Sequence, residues 1–313
     1  MTTSGTDMQF TAWIFPGQGS QYVGMGADAL AHSPKAKELV SRADELLAIS
    51  LSTIMFSGPE EVLRQTKNTQ PAIFLHSMVL VALLGDARPG LVAGHSLGEY
   101  SALVVAGSLS FEDGLRLVRL RGELMQRAGE LERGTMAALV GLDPSAVRSL
   151  CADASSAGVV QAANFNSPGQ IVISGTVEGV HAAMALAKER GAKMAKELVV
   201  SGAFHSPLMR SAEEGLKKAL EEVKIQDALI PVYSNVTAEP VQDAGEIRQL
   251  LLKQLTSPVR WEESMAHMKR DGARRFIEVG PGKVLQGLAK RIDSSLVITG
   301  VDKIADIAGV SAS

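Results

Sequence analysis

The chain has 313 residues, enough to bury a large core in one or two domains. Hydrophobic residues make up 46% and charged residues 21%, the balance of a folded globular protein, which excludes disorder. A net charge of −3 gives no bulk attraction to nucleic acid or to an anionic membrane, and the longest apolar stretch, Ala72 to Leu84, is too short to span a bilayer.

The chain opens on Met1 to Phe10, which has neither a basic nor an apolar region, so no signal peptide is expected and the placement expected is cytoplasmic. Phe10 to Phe15 reads as a strand, followed by the loop Pro16-Gly17-Gln18-Gly19-Ser20-Gln21. Ser33-Pro34 opens a helix with a capping serine ahead of a first-turn proline, and Leu39, Val40, Ala43, Leu46 and Leu47 form its apolar face. Ala72 to Leu84 reads as a buried helix, Leu91 to Ala93 as a buried strand, and Tyr100 to Ala106 as the helix after it. Phe111 to Ala128 is a further helix, carrying Arg116, Arg119 and Arg121. This alternation predicts a parallel α/β layout.

The rhythm changes after Gly134. Met136 to Gly141 reads as a strand, Asp143 to Ala154 as a helix and Val159 to Phe165 as a strand. Past a turn at Asn166-Ser167-Pro168-Gly169 come a strand from Gln170 to Ser174, a helix from Thr176 to Arg190 and a strand from Ala195 to Val200. That succession, βαββαβ, is a ferredoxin-like unit. The expected organisation is therefore an α/β hydrolase-like core over residues 1–133 and 203–313, with a ferredoxin-like subdomain inserted at 134–202. The core resumes with helices at Ser211 to Val223, Glu246 to Leu255 and Trp261 to Asp271, and strands at Val232 to Asn235 and Arg275 to Val279. Another helix follows Gly280-Pro281-Gly282-Lys283, and the small apolar tail from Ala305 is expected to fray. Cys151, the only cysteine, reads as a small hydrophobe in a helix, so neither a disulfide nor a thiolate metal site is expected.

The sharpest chemical signal is Gly94-His95-Ser96-Leu97-Gly98 between a strand and a helix. A turn that tight excludes bulky neighbours, which explains the glycines, and it forces the serine hydroxyl out at a helix N-terminus as a nucleophile elbow. The N–H groups of Ser96 and Leu97 are expected to face a common oxyanion position. A second donor is expected from the glycine-containing loop at Gly17 to Gly19. A serine needs a base. Of the six histidines, His32, His181 and His267 have surface character, His76 lies in an apolar helix, and His95 diverges from its neighbour Ser96. His205 stands in an irregular junction, Ser201 to Pro207, but the residues alone leave the choice open. An orienting acid is not singled out among Asp227, Glu239, Asp243 and Glu278. Phosphate loops are excluded: Tyr22 replaces the third glycine of one pattern, and Ile277 and Val284 break the other.

The motifs F-P-G-Q-G-S-Q, G-H-S-L-G-E-Y, L-R-G-E-L-M-Q and A-F-H-S, with N-F-N-S-P-G-Q, K-Q-L-T-S-P-V-R-W and E-V-G-P-G-K, together resemble the malonyl-CoA:acyl carrier protein transacylase family. They run in the family's order to about Arg291, and the length suits the discrete enzyme of fatty acid synthesis. The resemblance implies that Ser96 carries the acyl group, that His205 is base and then acid, and that a carbonyl of Gln254 orients the histidine. It implies oxyanion N–H groups at Gln18 and Leu97. Arg121 would bind the malonyl carboxylate, and Phe204 matches the malonyl-selecting form. Asn164 and Asn166 are expected near the site, and read equally well as turn residues.

The implied reaction is ping-pong transfer from malonyl-CoA to the phosphopantetheine thiol of acyl carrier protein, with no metal and no cofactor, CoA being part of the substrate. An acidic carrier calls for a basic patch, for which Lys188, Arg190, Lys193, Lys196, Lys290 and Arg291 are candidates, each otherwise a solvated charge. A monomer is expected. The rival readings are a serine thioesterase or other hydrolase using the same Ser96 and His205, a malonyl transferase serving a polyketide synthase or malonate decarboxylase carrier, and a non-catalytic binding module. Arg121 and the missing acid favour transfer.

Overall fold

A computed structural model describes residues 11–311. Strand β1 (Thr11–Phe15) leads through helices α1 (Ala27–His32), α2 (Pro34–Leu47), α3 (Leu51–Ser57), α4 (Glu60–Leu63) and α5 (Thr66–Leu83) to β2 (Leu91–Gly94), α6 (Gly98–Val105) and α7 (Phe111–Leu131). There follow β3 (Gly134–Val140), α8 (Pro144–Ala154), β4 (Val160–Ser167), β5 (Gln170–Thr176), α9 (Val177–Glu189) and β6 (Met194–Glu197). The chain ends through α10 (Arg210–Glu222), β7 (Val232–Tyr233), β8 (Pro240–Val241), α11 (Ala244–Lys253), α12 (Trp261–Arg270), β9 (Arg275–Val279), α13 (Val284–Ile292), β10 (Val297–Val301) and α14 (Ile304–Ser311).

Two sheets result. The larger has six strands in the order β10-β9-β1-β2-β7-β8, parallel except where β8 turns back on β7. Its central strands β1 and β2 are buried at every position, as a sheet covered on both faces requires. The smaller sheet is antiparallel, in the order β4-β5-β3-β6, and its elements follow one another as βαββαβ. The two-residue period of its strands divides its loyalties. Ala137, Leu139, Ile171 and Ile173 pack on α8 and α9, while Met136, Ala138 and Val172 join the main core. Strands β3, β4 and β5 are thus largely buried on both faces, whereas the edge strand β6 is mostly exposed.

Several expected elements shift. The expected first strand began at Phe10, which lies outside the described residues, as do residues 312 and 313 of the expected tail. Helix α5 begins before Pro71, six residues ahead of the expected start, because the carbonyl that a mid-helix proline leaves without an amide is answered from outside: Arg119 Nη1 donates to Lys67 O at 3.0 Å. The last strand of the smaller sheet stops at Glu197, short of Val200, and the chain leaves the sheet there. The tail does not fray through Ser311: it forms α14, with Ile304, Ile307 and Val310 at helical spacing against the core. Helices α1, α3 and α4 and strands β8 and β10 were not apparent in the sequence.

Candidate active site

At the end of β2 the chain reverses into α6 with Ser96 at φ 51°. The flanking glycines are steric necessities. A Cβ on Gly94 would lie 1.8 Å from the Gly98 carbonyl carbon, and one on Gly98 would lie 2.1 Å from Phe15 O. The turn also corrects one expectation: the Ser96 N–H does not face an oxyanion position. It donates to Asn235 Oδ1 at 2.6 Å, because the left-handed conformation turns this amide back toward the segment after β7. Asn235 Nδ2 donates to Gly94 O at 2.7 Å, so one side chain bridges both limbs of the elbow. The N–H groups of Leu97 and Gln18 have no partner among the described residues, and both residues line the same cavity.

His205 meets the serine from the junction after the smaller sheet. Its Nδ1 donates to the backbone carbonyl of Gln254 at 2.8 Å, which fixes Nε2 as the acceptor, and Nε2 lies 2.8 Å from Ser96 Oγ. His205 too is in the left-handed region, at φ 57°, and Gln161 Nε2 holds its carbonyl at 2.8 Å. Burial, and then the charge of Arg121, push the imidazole down to about 3. Its unprotonated Nε2 therefore faces the serine hydroxyl. None of the four carboxylates considered from the sequence reaches it. Glu278 accepts the Leu285 and Gln286 N–H groups at the start of α13, at 3.0 and 3.1 Å. Asp243 and Asp227 accept from Glu246 N and Ala244 N at the start of α11, and Glu239 pairs with Arg270 and His267. His76 is tied to Asp302, His181 to Glu197, and His32 to Asp28 O.

Arg121 is 1% exposed yet has no carboxylate partner among the described residues. Nη1 donates to Gln70 Oε1 at 2.8 Å, Nη2 to Gln254 Oε1 at 2.8 Å and to Ser96 Oγ at 3.1 Å, and the guanidinium carbon stands 5.7 Å from the Tyr100 ring centroid. Burial lowers its pKa, but a guanidinium starts so far above neutrality that it stays charged. A buried cation held only by neutral acceptors favours an incoming anion. Beneath it, burial pushes the Glu99 carboxyl up to about 7, against the stabilising bonds from Asn235 and Gln254. Gln70, Asn235, Glu99 and Gln161 were not singled out from the sequence.

The cavity over Ser96 encloses about 210 Å³. Phe204, Met125, Met136, Val172, Leu198 and Val200 supply apolar wall, and Asn164 and Asn166 line it with Gln170. Asn166 Oδ1 accepts from His95 Nε2 at 2.9 Å, an imidazole that burial keeps neutral. Lys188, Lys193, Lys196 and Lys290 are exposed and lack ion-pair partners among the described residues. Arg190 is paired with Asp153, and Arg291 Nη1 donates to Gln170 Oε1 at 2.5 Å, bridging the two sheets' territories at the cavity rim.

The chain is similar to known proteins over nearly its whole length. The family model described as "Acyl transferase domain" matches residues 12–306. A malonyl CoA-acyl carrier protein transacylase of Bacillus subtilis is 48% identical over 292 residues, 92% of each chain. One of Haemophilus influenzae is 44% identical over 97% of this chain and 98% of its own. An acyl carrier protein S-malonyltransferase from Vibrio cholerae superposes with a TM-score of 0.93 at 44% identity, covering 96% of this chain and 99% of that one. A malonyl-transacylase solved in complex with its type II polyketide acyl-carrier protein also superposes at 0.93, with 40% identity and 96% and 99% of the two chains covered. With an elbow serine, a carbonyl-oriented histidine and a buried arginine on one cavity, and relatives this similar over nearly its whole length, the chain belongs to the acyl transferase domain family, among the malonyl CoA-acyl carrier protein transacylases.

Proposed function

We propose that this chain moves the malonyl group of malonyl-CoA to the phosphopantetheine thiol of acyl carrier protein, in supply of fatty acid synthesis. Ser96 Oγ gives its proton to His205 Nε2 and attacks the thioester carbonyl. The oxyanion is received by the N–H groups of Gln18 and Leu97, both without a partner among the described residues. Collapse expels CoA as its thiolate, which takes the proton from His205. In the second half His205 removes the proton of the carrier's thiol, the sulfur attacks the malonyl-serine ester, and Ser96 leaves with the proton. Each half is an exchange at an acyl carbon with no redox change, so the scheme uses no metal and no cofactor.

The observation that carries the reading is the position of Arg121. A malonyl group on Ser96 has its free carboxylate one methylene beyond the ester carbonyl, and the guanidinium lies 3.1 Å from Oγ. An acetyl group would leave that cation with neutral acceptors alone. Phe204 narrows the cavity beside it, in keeping with an unbranched acyl group. Asn164 and Asn166 would face the thioester from the smaller sheet. Residues 134–202 serve as a subdomain closing the cleft over the core of 1–133 and 203–313. The carrier would dock along Lys188, Arg190, Lys193, Lys196, Lys290 and Arg291. The reading is of a cytoplasmic monomer; no helix among the described residues is long and apolar enough to cross a membrane.

The test is intact mass after mixing with malonyl-CoA and quenching in acid within seconds. A single malonyl adduct on wild type, absent in Ser96→Ala and scarce with acetyl-CoA, is expected. Steady release of CoA without an adduct would indicate a hydrolase, and neither adduct nor release would overturn the reading.

A further inference from the structure

Glu99 lies in the first turn of α6, 3% exposed, and takes no part in the steps above. Its Oε2 accepts from Gln254 Nε2 at 2.8 Å and from Asn235 N at 3.0 Å. That bond decides which way the Gln254 amide faces. Nε2 points to Glu99 and, at 3.1 Å, to Ser96 O, so Oε1 points to Arg121 Nη2 at 2.8 Å. Turned over, the amide would set oxygen against two acceptors and its NH₂ against a guanidinium, with no hydrogen bond on either side. Arg121 Nη2 would then keep only its longer bond, 3.1 Å, to Ser96 Oγ, with Gln70 on the other flank.

The main chain of Gln254 is anchored separately, its N–H donating to Leu250 O at 2.9 Å. The carbonyl that orients His205 therefore does not depend on where the side chain goes. One residue supports two groups by two different parts of itself, and Glu99 governs only the side-chain part.

We propose that Glu99 is a positioning residue for substrate selection: by fixing the sense of the Gln254 amide it aims the Arg121 guanidinium at the substrate carboxylate, and it leaves the Ser96–His205 pair alone. This rests on Arg121 being the group that binds the malonyl carboxylate. The controlling property is an acceptor oxygen at the right reach. Glu99→Gln keeps that reach without a charge, and Glu99→Asp keeps the charge but withdraws the oxygen by a methylene.

The experiment compares kcat/KM for malonyl-CoA and acetyl-CoA in wild type, Glu99→Ala, Glu99→Asp, Glu99→Gln and Arg121→Ala, with the rate of Ser96 labelling by a fluorophosphonate and the unfolding temperature of each. Glu99→Ala should lower the malonyl-to-acetyl ratio about tenfold or more, chiefly through KM for malonyl-CoA, and Glu99→Asp by about threefold or more. Glu99→Gln should stay within about threefold of wild type, and labelling within about threefold in the three Glu99 variants. Parallel losses with both substrates would mean a merely structural role and overturn the proposal. So would an unchanged ratio in Glu99→Ala, or a Glu99→Gln no better than Glu99→Asp. If Glu99→Ala does not fold, the Asp and Gln variants decide. An unchanged ratio in Arg121→Ala would overturn the carboxylate reading itself and this inference with it, whereas a lowered ratio there with unchanged Glu99 variants would overturn this inference alone.

Discussion

The parallel sheet and the antiparallel sheet face one cavity but contribute to it in different ways. From the parallel core and its returning loops come every group that touches Ser96 Oγ: His205, Arg121 and, behind them, Gln254. These are clamped by positive-φ backbone, by glycines with no room for a Cβ and by buried hydrogen bonds. The antiparallel sheet supplies wall: Met136, Asn164, Asn166, Gln170 and Val172 line the cavity without touching the hydroxyl. Its firmest tie to the pair is indirect, through Gln161 to the His205 carbonyl. Bond making is thereby separated from fit, and lesions on the two sides should be told apart by which kinetic constant they move.

The largest effect belongs to the core. Ser96→Ala should abolish the malonyl adduct and lower kcat by about 10⁴-fold or more, with the fold intact by circular dichroism. Arg121→Ala should lower kcat/KM for malonyl-CoA by about 10²- to 10³-fold, the loss of one buried charge-assisted pair, and change acetyl-CoA transfer far less. A similar loss with both substrates would break the assignment of Arg121 to the carboxylate. On the opposite wall, Asn166→Ala should raise KM for malonyl-CoA by about fivefold with kcat near wild type, since one neutral hydrogen bond of about 1 kcal/mol is removed. A large fall in kcat there would erase the division between the sheets.

The smallest expected effect is none at all. With His205 held down to about 3, the rate of fluorophosphonate labelling should be level between pH 5 and 8 and not fall near 6.5, where a free imidazole titrates. An inflection at 6 to 7 would contradict the burial of the pair. Stability should respond where labelling does not. Between 6.5 and about 3 the unfolded chain binds the His205 proton and the folded chain does not, so the unfolding temperature should drop as pH falls through that window.

Much of this was legible in the sequence, for physical reasons that also mark where it stops. The elbow could be read because its glycines answer a local steric demand, and the βαββαβ succession because period-two and period-3.6 patterns alternate cleanly there. Asn235 could not. It follows a strand of two residues and bonds an amide 139 positions away, which no local pattern encodes. The direction of the Ser96 N–H was misjudged for the same reason: its conformation is local, but the oxygen that claims it is not. Glu99 lies inside the G-H-S-L-G-E run with nothing local to mark it, since only burial reveals its link to Gln254. The tail helix α14 was obscured by its small residues, although Ile304, Ile307 and Val310 carry the spacing.

His205 leans on a main-chain oxygen, and that has a genetic consequence. An orienting aspartate would be erased by a single codon change. A backbone carbonyl is common to all twenty amino acids, so no missense change at position 254 deletes it. The side chain of the same residue is free to vary under selection, and with it the contact to Arg121. Lineages descending from such a protein could therefore drift in which acyl group they prefer through intermediates that never lose their base.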